Sequence, residues 1–151
     1  MTKLIAEKSI DIAAPASKMW AVLTQRSSEW SDLFAARGPV ESDWKVGSDV
    51  VWRNGEGVVY VRGRVLASDP AKLLKFTVRS TQREMQPLSG RPEDDITQTY
   101  ALAEHGGRTT LSIAHGDFRN LAKGEEIYTA VMAGWDQLLA RFKQLAEDRQ
   151  P

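Results

Sequence analysis

Apolar and polar residues change rhythm several times along this chain, and each change predicts an element. Over residues 4–12 Leu4, Ala6, Ile10 and Ile12 share one parity, with Lys8 the exception, which is the period of a half-buried strand. The stretch "AAPASKMWAVLT" then reads as a helix. Pro15 suits its first turn, where a missing N–H costs nothing, and Trp20 and Leu23 lie three apart on one face. A second short helix is predicted over 28–34, carrying Trp30, Leu33 and Phe34. From Gly38 onward the period becomes two. "SDVVWRN" turns at Gly55-Glu56 into "GVVYVRGRVLASD", which turns near Asp69-Pro70 into "KLLKFTVRS". The stretch "STQREMQPLSGRPEDD" is too rich in Pro, Gly and Ser for a central strand and reads as a long surface loop. Two more alternating runs, "DITQTYALAEH" and "RTTLSIAHGDF", flank Gly106-Gly107. The last segment has Ile127, Val131, Trp135, Leu138, Phe142 and Leu145 at spacings of three and four, one stripe on a long helix. Glu125 and Glu126 fall in its first turn, where carboxylates suit the helix dipole.

The order is strand, two short helices, five or six antiparallel strands and a long terminal helix. A meander with one apolar face needs a cover, and only the terminal helix is large enough to supply it. The expected fold is α+β, a curved antiparallel sheet gripping that helix with a space between them, in a single domain over 1–151.

Turn arithmetic predicts which side chains face that space. A two-residue Gly106-Gly107 turn sets His105 opposite Arg108, and hence Leu102 opposite Leu111, Tyr100 opposite Ile113 and Gln98 opposite His115. A two-residue turn at Gly55-Glu56 pairs Trp52 with Val59 and Val50 with Val61. At Asp69-Pro70 it pairs Val65 with Leu74, Gly63 with Phe76 and Val61 with Val78. Arg53, Tyr60, Arg62, Arg64, Lys75 and Arg79 are then expected on the outer face. Gln98 and His115 stand out as polar residues on an otherwise apolar inner face.

Composition narrows the function classes. Formal net charge is zero with 26% charged residues, which argues against nucleic acid or an anionic membrane as partner, since both need an excess of Lys and Arg. There is no cysteine, so disulfides, thiolate metal sites and cysteine nucleophiles are excluded. The two histidines lack the spacing of a metal motif, and no phosphate loop or nucleophile elbow is present. No secretory signal or membrane-length apolar run is seen, so a cytoplasmic protein with no metal and no cofactor is expected.

The stretch "IDIAAPASKMWAVLT" resembles the amino-terminal signature of the SRPBCC, or START/birch-pollen-allergen-like, superfamily. Within it, "SDWKVGSDVVWR", "PLSGRPEDDITQTYAL" and "MAGWDQLLARFKQLAE" resemble bacterial homologues of the carboxy-terminal domain of the activator of the 90-kDa heat-shock chaperone ATPase. The resemblance implies a helix-grip fold, with two short helices closing one end of a sheet wrapped around the terminal helix. Relatives of this kind bind lipids, hormones or polyketides, or act as cyclases or aromatases, and no fixed catalytic set comes with the resemblance.

The expected function is binding of a small hydrophobic or amphipathic molecule between sheet and helix. The candidate ligand-binding residues are Trp52, Phe76, Gln98, Tyr100, Ile113, His115, Met132 and Trp135. Each apolar member alone also suits an ordinary core. His115 has three readings: a structural histidine, a ligand contact, or the acid/base of a cyclase or dehydratase. A chaperone-interacting module using the outer sheet face, and a homodimer, are the alternative partner readings.

Overall fold

The computed structural model describes residues 4–31, 37–82 and 85–148. Strand β1 (Ala6–Ile12) leads into α1 (Ala16–Gln25). The strands β2 (Arg37–Glu41), β3 (Asp49–Asn54), β4 (Val59–Asp69), β5 (Leu73–Ser80), β6 (Ile96–His105) and β7 (Arg108–Gly116) follow, and α2 (Gly124–Glu147) ends the described chain. All seven strands form one antiparallel sheet in the order β1-β7-β6-β5-β4-β3-β2. The first strand lies beside the last because β1 has an apolar parity of its own to bury, and β7 offers the free edge. Among the described residues no helix is long and apolar enough to cross a membrane.

The inner face of the sheet is covered by α2, which buries Trp135, Leu138, Leu139, Phe142 and Ala146. The predicted stripe is therefore correct, with Leu139 and Ala146 added to it. Trp30 is buried where the chain turns after α1, and its indole Nε1 donates to the Val22 carbonyl at 2.8 Å. Its ring meets Phe142 at 5.2 Å and Trp52 at 6.2 Å, both edge-on. Edge-on geometry sets the positive ring edge against the negative face of the next ring. Leu33 and Phe34 lie outside the described residues, and the described start of the predicted second helix forms a tight 3-10 turn, Ser27–Glu29, in place of α-helix.

Polar contacts fix the two helices to the sheet. Pro15 precedes α1, and the first helical N–H, from Ala16, donates to the Glu104 carboxylate on β6 at 2.6 Å. Lys8, the exception in the β1 pattern, is explained by α2, since its ammonium reaches Asp136 at 2.7 Å. The Ala13 N–H donates to Glu147 at 2.7 Å, holding the far end of α2 against the β1–α1 connection.

The hairpins test the turn arithmetic. At Gly106-Gly107 the register is as predicted, including Tyr100 opposite Ile113 and Gln98 opposite His115. The other two turns are longer than the predicted pair of residues. Around Gly55-Glu56 the Asn54 side chain accepts from the N–H groups of Glu56 and Val58, while the Asn54 N–H donates to the Val58 carbonyl. A bulge follows, so Trp52 faces Val61, Val50 faces Gly63, and Tyr60 is the extra residue between the pairs. The extra residue reverses the facing of Tyr60, which packs against the core and not on the outer face as predicted. Beyond Asp69 the turn takes in Pro70, Ala71 and Lys72, with Ala71 in the left-handed region at φ 65°. A bulge at Leu66 then sets Val65 opposite Phe76, and Leu66 swings to solvent. In both hairpins turn and bulge together shift the register by an even step. Val50, Trp52, Val65, Leu74 and Phe76 therefore remain buried although their predicted partners were wrong.

At Gly63 β4 lies tight against β5: a Cβ there would stand 1.7 Å from the Thr77 carbonyl oxygen. Backbone cannot yield as a flexible side chain does. Gly63→Ala is expected to lower stability by about 3 kcal/mol or more. Gly55→Ala, where an added Cβ meets nothing within 4 Å, should change it by under about 1 kcal/mol. Urea midpoints of the two variants check this.

Candidate functional site

The cavity that matters here forms where the amino-terminal half of α2 faces the sheet. From its middle toward its carboxy-terminal end α2 presents Trp135, Leu138 and Phe142, which fill the space down to the strands. One to two turns earlier it presents Ile127 and Val131, which are only partly buried. Their smaller side chains leave a partly open cavity of about 200 Å³. Trp52 of β3, Tyr60 and Val61 of β4, and Val78 and Ser80 of β5 form one wall. Ile96 and Gln98 of β6 and His115 of β7 form another. Met85 of the long loop, with Phe118 and Leu121 from the segment between β7 and α2, completes the lining.

That last segment is held firmly. The Asp117 carboxylate accepts from the N–H groups of Leu4 and Arg119, both at 3.0 Å, and caps the short turn Phe118–Asn120. Gly124 opens α2 close beneath it, since a Cβ there would lie 1.9 Å from the Phe118 carbonyl oxygen. Phe118 is thereby set with its ring 5.1 Å from that of His115, whose other aromatic neighbour is Trp135 at 6.3 Å.

The lining is apolar apart from Gln98, His115, Ser80 and Tyr60, and none of the described lining residues carries a formal charge. Gln98 is fully buried. Its Nε2 donates to the Tyr100 hydroxyl, while its Oε1 has no partner. His115 is half-buried, and its Nδ1 is enclosed without a partner. An unsatisfied buried polar group costs about 1–3 kcal/mol, and here two occur on directly paired residues. The opposed pair does not satisfy itself. Burial pushes the His115 imidazole down to about 4, so it is neutral at neutral pH. Burial pushes the Tyr100 hydroxyl up from its usual range, against a smaller opposing effect of Gln98, and the phenol stays protonated.

The eight sequence-predicted site residues divide accordingly. Trp52, Gln98 and His115 line the cavity. Phe76, Tyr100, Ile113 and Trp135 are buried in the core beside it and do not line it. Met132 is partly buried against the core, one position from Val131 on α2, and does not line the cavity either. Sequence reasoning left out Ile127 and Val131 although both lay on the predicted stripe. It left out Val78 and Ile96 although both had the inner parity. Tyr60 gave no signal, because a bulge decides its facing, and Met85 sits in a loop without periodicity. Among the described residues no group of three or more His, Cys, Asp or Glu side chains is arranged to hold a metal ion.

Comparison with known proteins agrees with this architecture. A protein from Mesorhizobium loti, MLL2253, superposes with a TM-score of 0.77 at 22% identity, covering 97% of this chain and 99% of that one. The Aha1 dimer from Colwellia psychrerythraea, a solution structure, gives 0.70 at 17% identity with 100% of both chains covered. DynU16, a protein in the dynemicin biosynthetic locus, gives 0.73 at 16% identity, covering 99% of this chain and 49% of that one. At such identities these likenesses bear on the fold. No curated protein matches the chain. The family described as Activator of Hsp90 ATPase homolog 1-like protein matches residues 13–147, and with nearly the whole chain inside that match, this protein belongs to that family.

Proposed function

We propose that this protein binds a small hydrophobic or amphipathic molecule in the cavity between the sheet and the first half of α2. One observation carries this reading: an apolar cavity of about 200 Å³ whose wall holds two buried polar atoms without partners. Ligand sites are typically concave and mostly apolar, with a few placed polar groups that orient the guest. A filled core would have closed the space with a larger side chain than Val131, and would have paired or removed Gln98. The neighbour in the dynemicin biosynthetic locus and the resemblance to lipid and polyketide binders support small organic ligands as the class.

A second reading, a cyclase or dehydratase, has one observation in its favour. His115 is neutral at neutral pH and lines the cavity, as a general base must. Its Nδ1 has no hydrogen-bond partner among the described residues to orient the ring, so we rank binding first.

Thermal unfolding against a panel of lipids, aromatics and polyketide-like compounds tests the binding reading. A compound present at about a hundred times its Kd is expected to add about 2.7 kcal/mol, or about 5–10 °C in Tm for a chain of this size. Val131→Phe, which puts a ring into the cavity, should retain the fold and remove the shift. A shift that survives in Val131→Phe, or a panel without any binder, would overturn the reading.

The neutral imidazole also predicts a pH dependence. His115 titrates near 6.5 when unfolded and at about 4 when folded, so between those values the unfolded chain binds the extra proton. Stability is complete above about pH 6.5 and falls as pH drops toward 4, at most by about 1.4 kcal/mol per unit for one proton. His115→Gln should flatten the curve in that window, read from urea titrations at successive pH values. Equal slopes for the two proteins would show that His115 does not titrate this way.

A further inference from the structure

The two unpartnered atoms restrict what the cavity can take, and this step rests on the binding reading above. In the observed arrangement Gln98 spends its Nε2 on the Tyr100 hydroxyl and keeps Oε1 free. Of the two nitrogens of His115 only Nδ1 is enclosed without a partner. A neutral imidazole carries its proton on one of its two nitrogens, so Nδ1 either donates or accepts, and a hydroxyl can answer it in both cases. Paired across β6 and β7, the two residues leave enclosed and unpartnered the Gln98 oxygen, an acceptor, and the His115 Nδ1, a donor or an acceptor by tautomer. Turning the Gln98 amide would put Nε2 in place of Oε1, and a hydroxyl accepts from that group as readily as it donates to the other.

We infer that the ligand carries a neutral hydroxyl, phenolic or alcoholic, that hydrogen-bonds at Gln98 and His115, on an apolar body of one or two rings. Contact with the two enclosed atoms requires the Gln98 and His115 side chains to turn toward the guest as it enters. Size follows from volume, because an apolar cavity of about 150 Å³ takes benzene, and this one is about 200 Å³ and partly open. A carboxylate is the wrong group. It has no proton to give the Gln98 oxygen, and no lining residue among those described carries a positive charge to balance it. An ammonium would lack an anion in the same way. Fatty acids, a common guess for a cavity under a helix, are therefore disfavoured against alcohols and phenols of similar bulk.

The test uses the full chain at pH 7.5 and three probes of matched shape, titrated calorimetrically: para-propylphenol, para-propylanisole and para-propylbenzoate. The phenol is expected to bind at least about tenfold more tightly than the ether, because a site that bonds a hydroxyl rejects the analogue that lacks it. The benzoate should bind most weakly of the three. In Gln98→Met and His115→Phe, which replace the unpartnered groups by apolar ones of similar bulk, the ratio of phenol to ether should fall toward one. Equal binding of phenol and ether, or tighter binding of the benzoate, would overturn the hydroxyl inference and leave the cavity reading standing. A ratio unchanged in both variants would overturn the assignment to Gln98 and His115. Failure of all three probes to bind would overturn the hydroxyl inference, and the cavity reading falls with it where no compound of the wider panel raises the Tm either.

Discussion

Phe142 lies edge-on to Trp30 at 5.2 Å and to Tyr100 at 6.1 Å, and this wedge of rings sets the distance between α2 and the sheet. A helix of 24 residues is a rod of about 36 Å. Once its carboxy-terminal half stands off the strands by the thickness of an aromatic ring, its amino-terminal half stands off as well. Where α2 then offers Ile127 and Val131 in place of rings, its side chains do not fill the space. The cavity therefore follows from packing large side chains at one end of a stiff element and small ones at the other. Tethers along the rod keep it from tilting to close the gap: Lys8 to Asp136 near the middle and Ala13 to Glu147 at the far end.

The same wedge explains the Gln98 environment. Tyr100 is held in the aromatic cluster, 6.2 Å from Phe76 and 6.1 Å from Phe142, and its hydroxyl turns to the side chain two residues earlier on the same face. Gln98 is thereby fixed at one end of its amide and left open at the other. A leucine at 98 would have been simpler for packing alone. A buried glutamine whose carbonyl oxygen has no partner lowers stability, which makes it a residue to explain by what it meets and not by what it supports.

Much of the fold was legible because the pleat has period two, and the parity of a strand survives an even error. Residues facing the core between β3 and β5 were identified although both turns were misjudged, since each longer turn was matched by a bulge that restored the parity. Tyr60 shows the limit, as it is itself the extra residue in a bulge and its facing reversed. The Gly106-Gly107 hairpin was read correctly in every pair because two glycines with positive φ, 58° and 80°, specify a two-residue turn. Asn54 is subtler: its side chain organises a longer turn through two backbone N–H groups, and the adjacent Gly55-Glu56 pair imitates the shorter one.

The site was less legible than the fold, for a physical reason. Whether an inward residue lines a cavity or lies in the core depends on what stands opposite, and that is a property of three elements at once. Tyr100 and His115 are both inward on neighbouring strands. Tyr100 faces the half of α2 that carries Phe142, while His115 faces the space left by Val131 and Ile127. Volume along α2 decides between them, falling from Phe142 and Trp135 to Val131 and Ile127. The gradient is written in the sequence, but it gains meaning only when the helix is laid against the strands in its observed direction. Polar residues were the exception: Gln98 and His115 could be singled out without coordinates because an amide and an imidazole on an apolar face must be answered by something, and the protein itself leaves that answer incomplete.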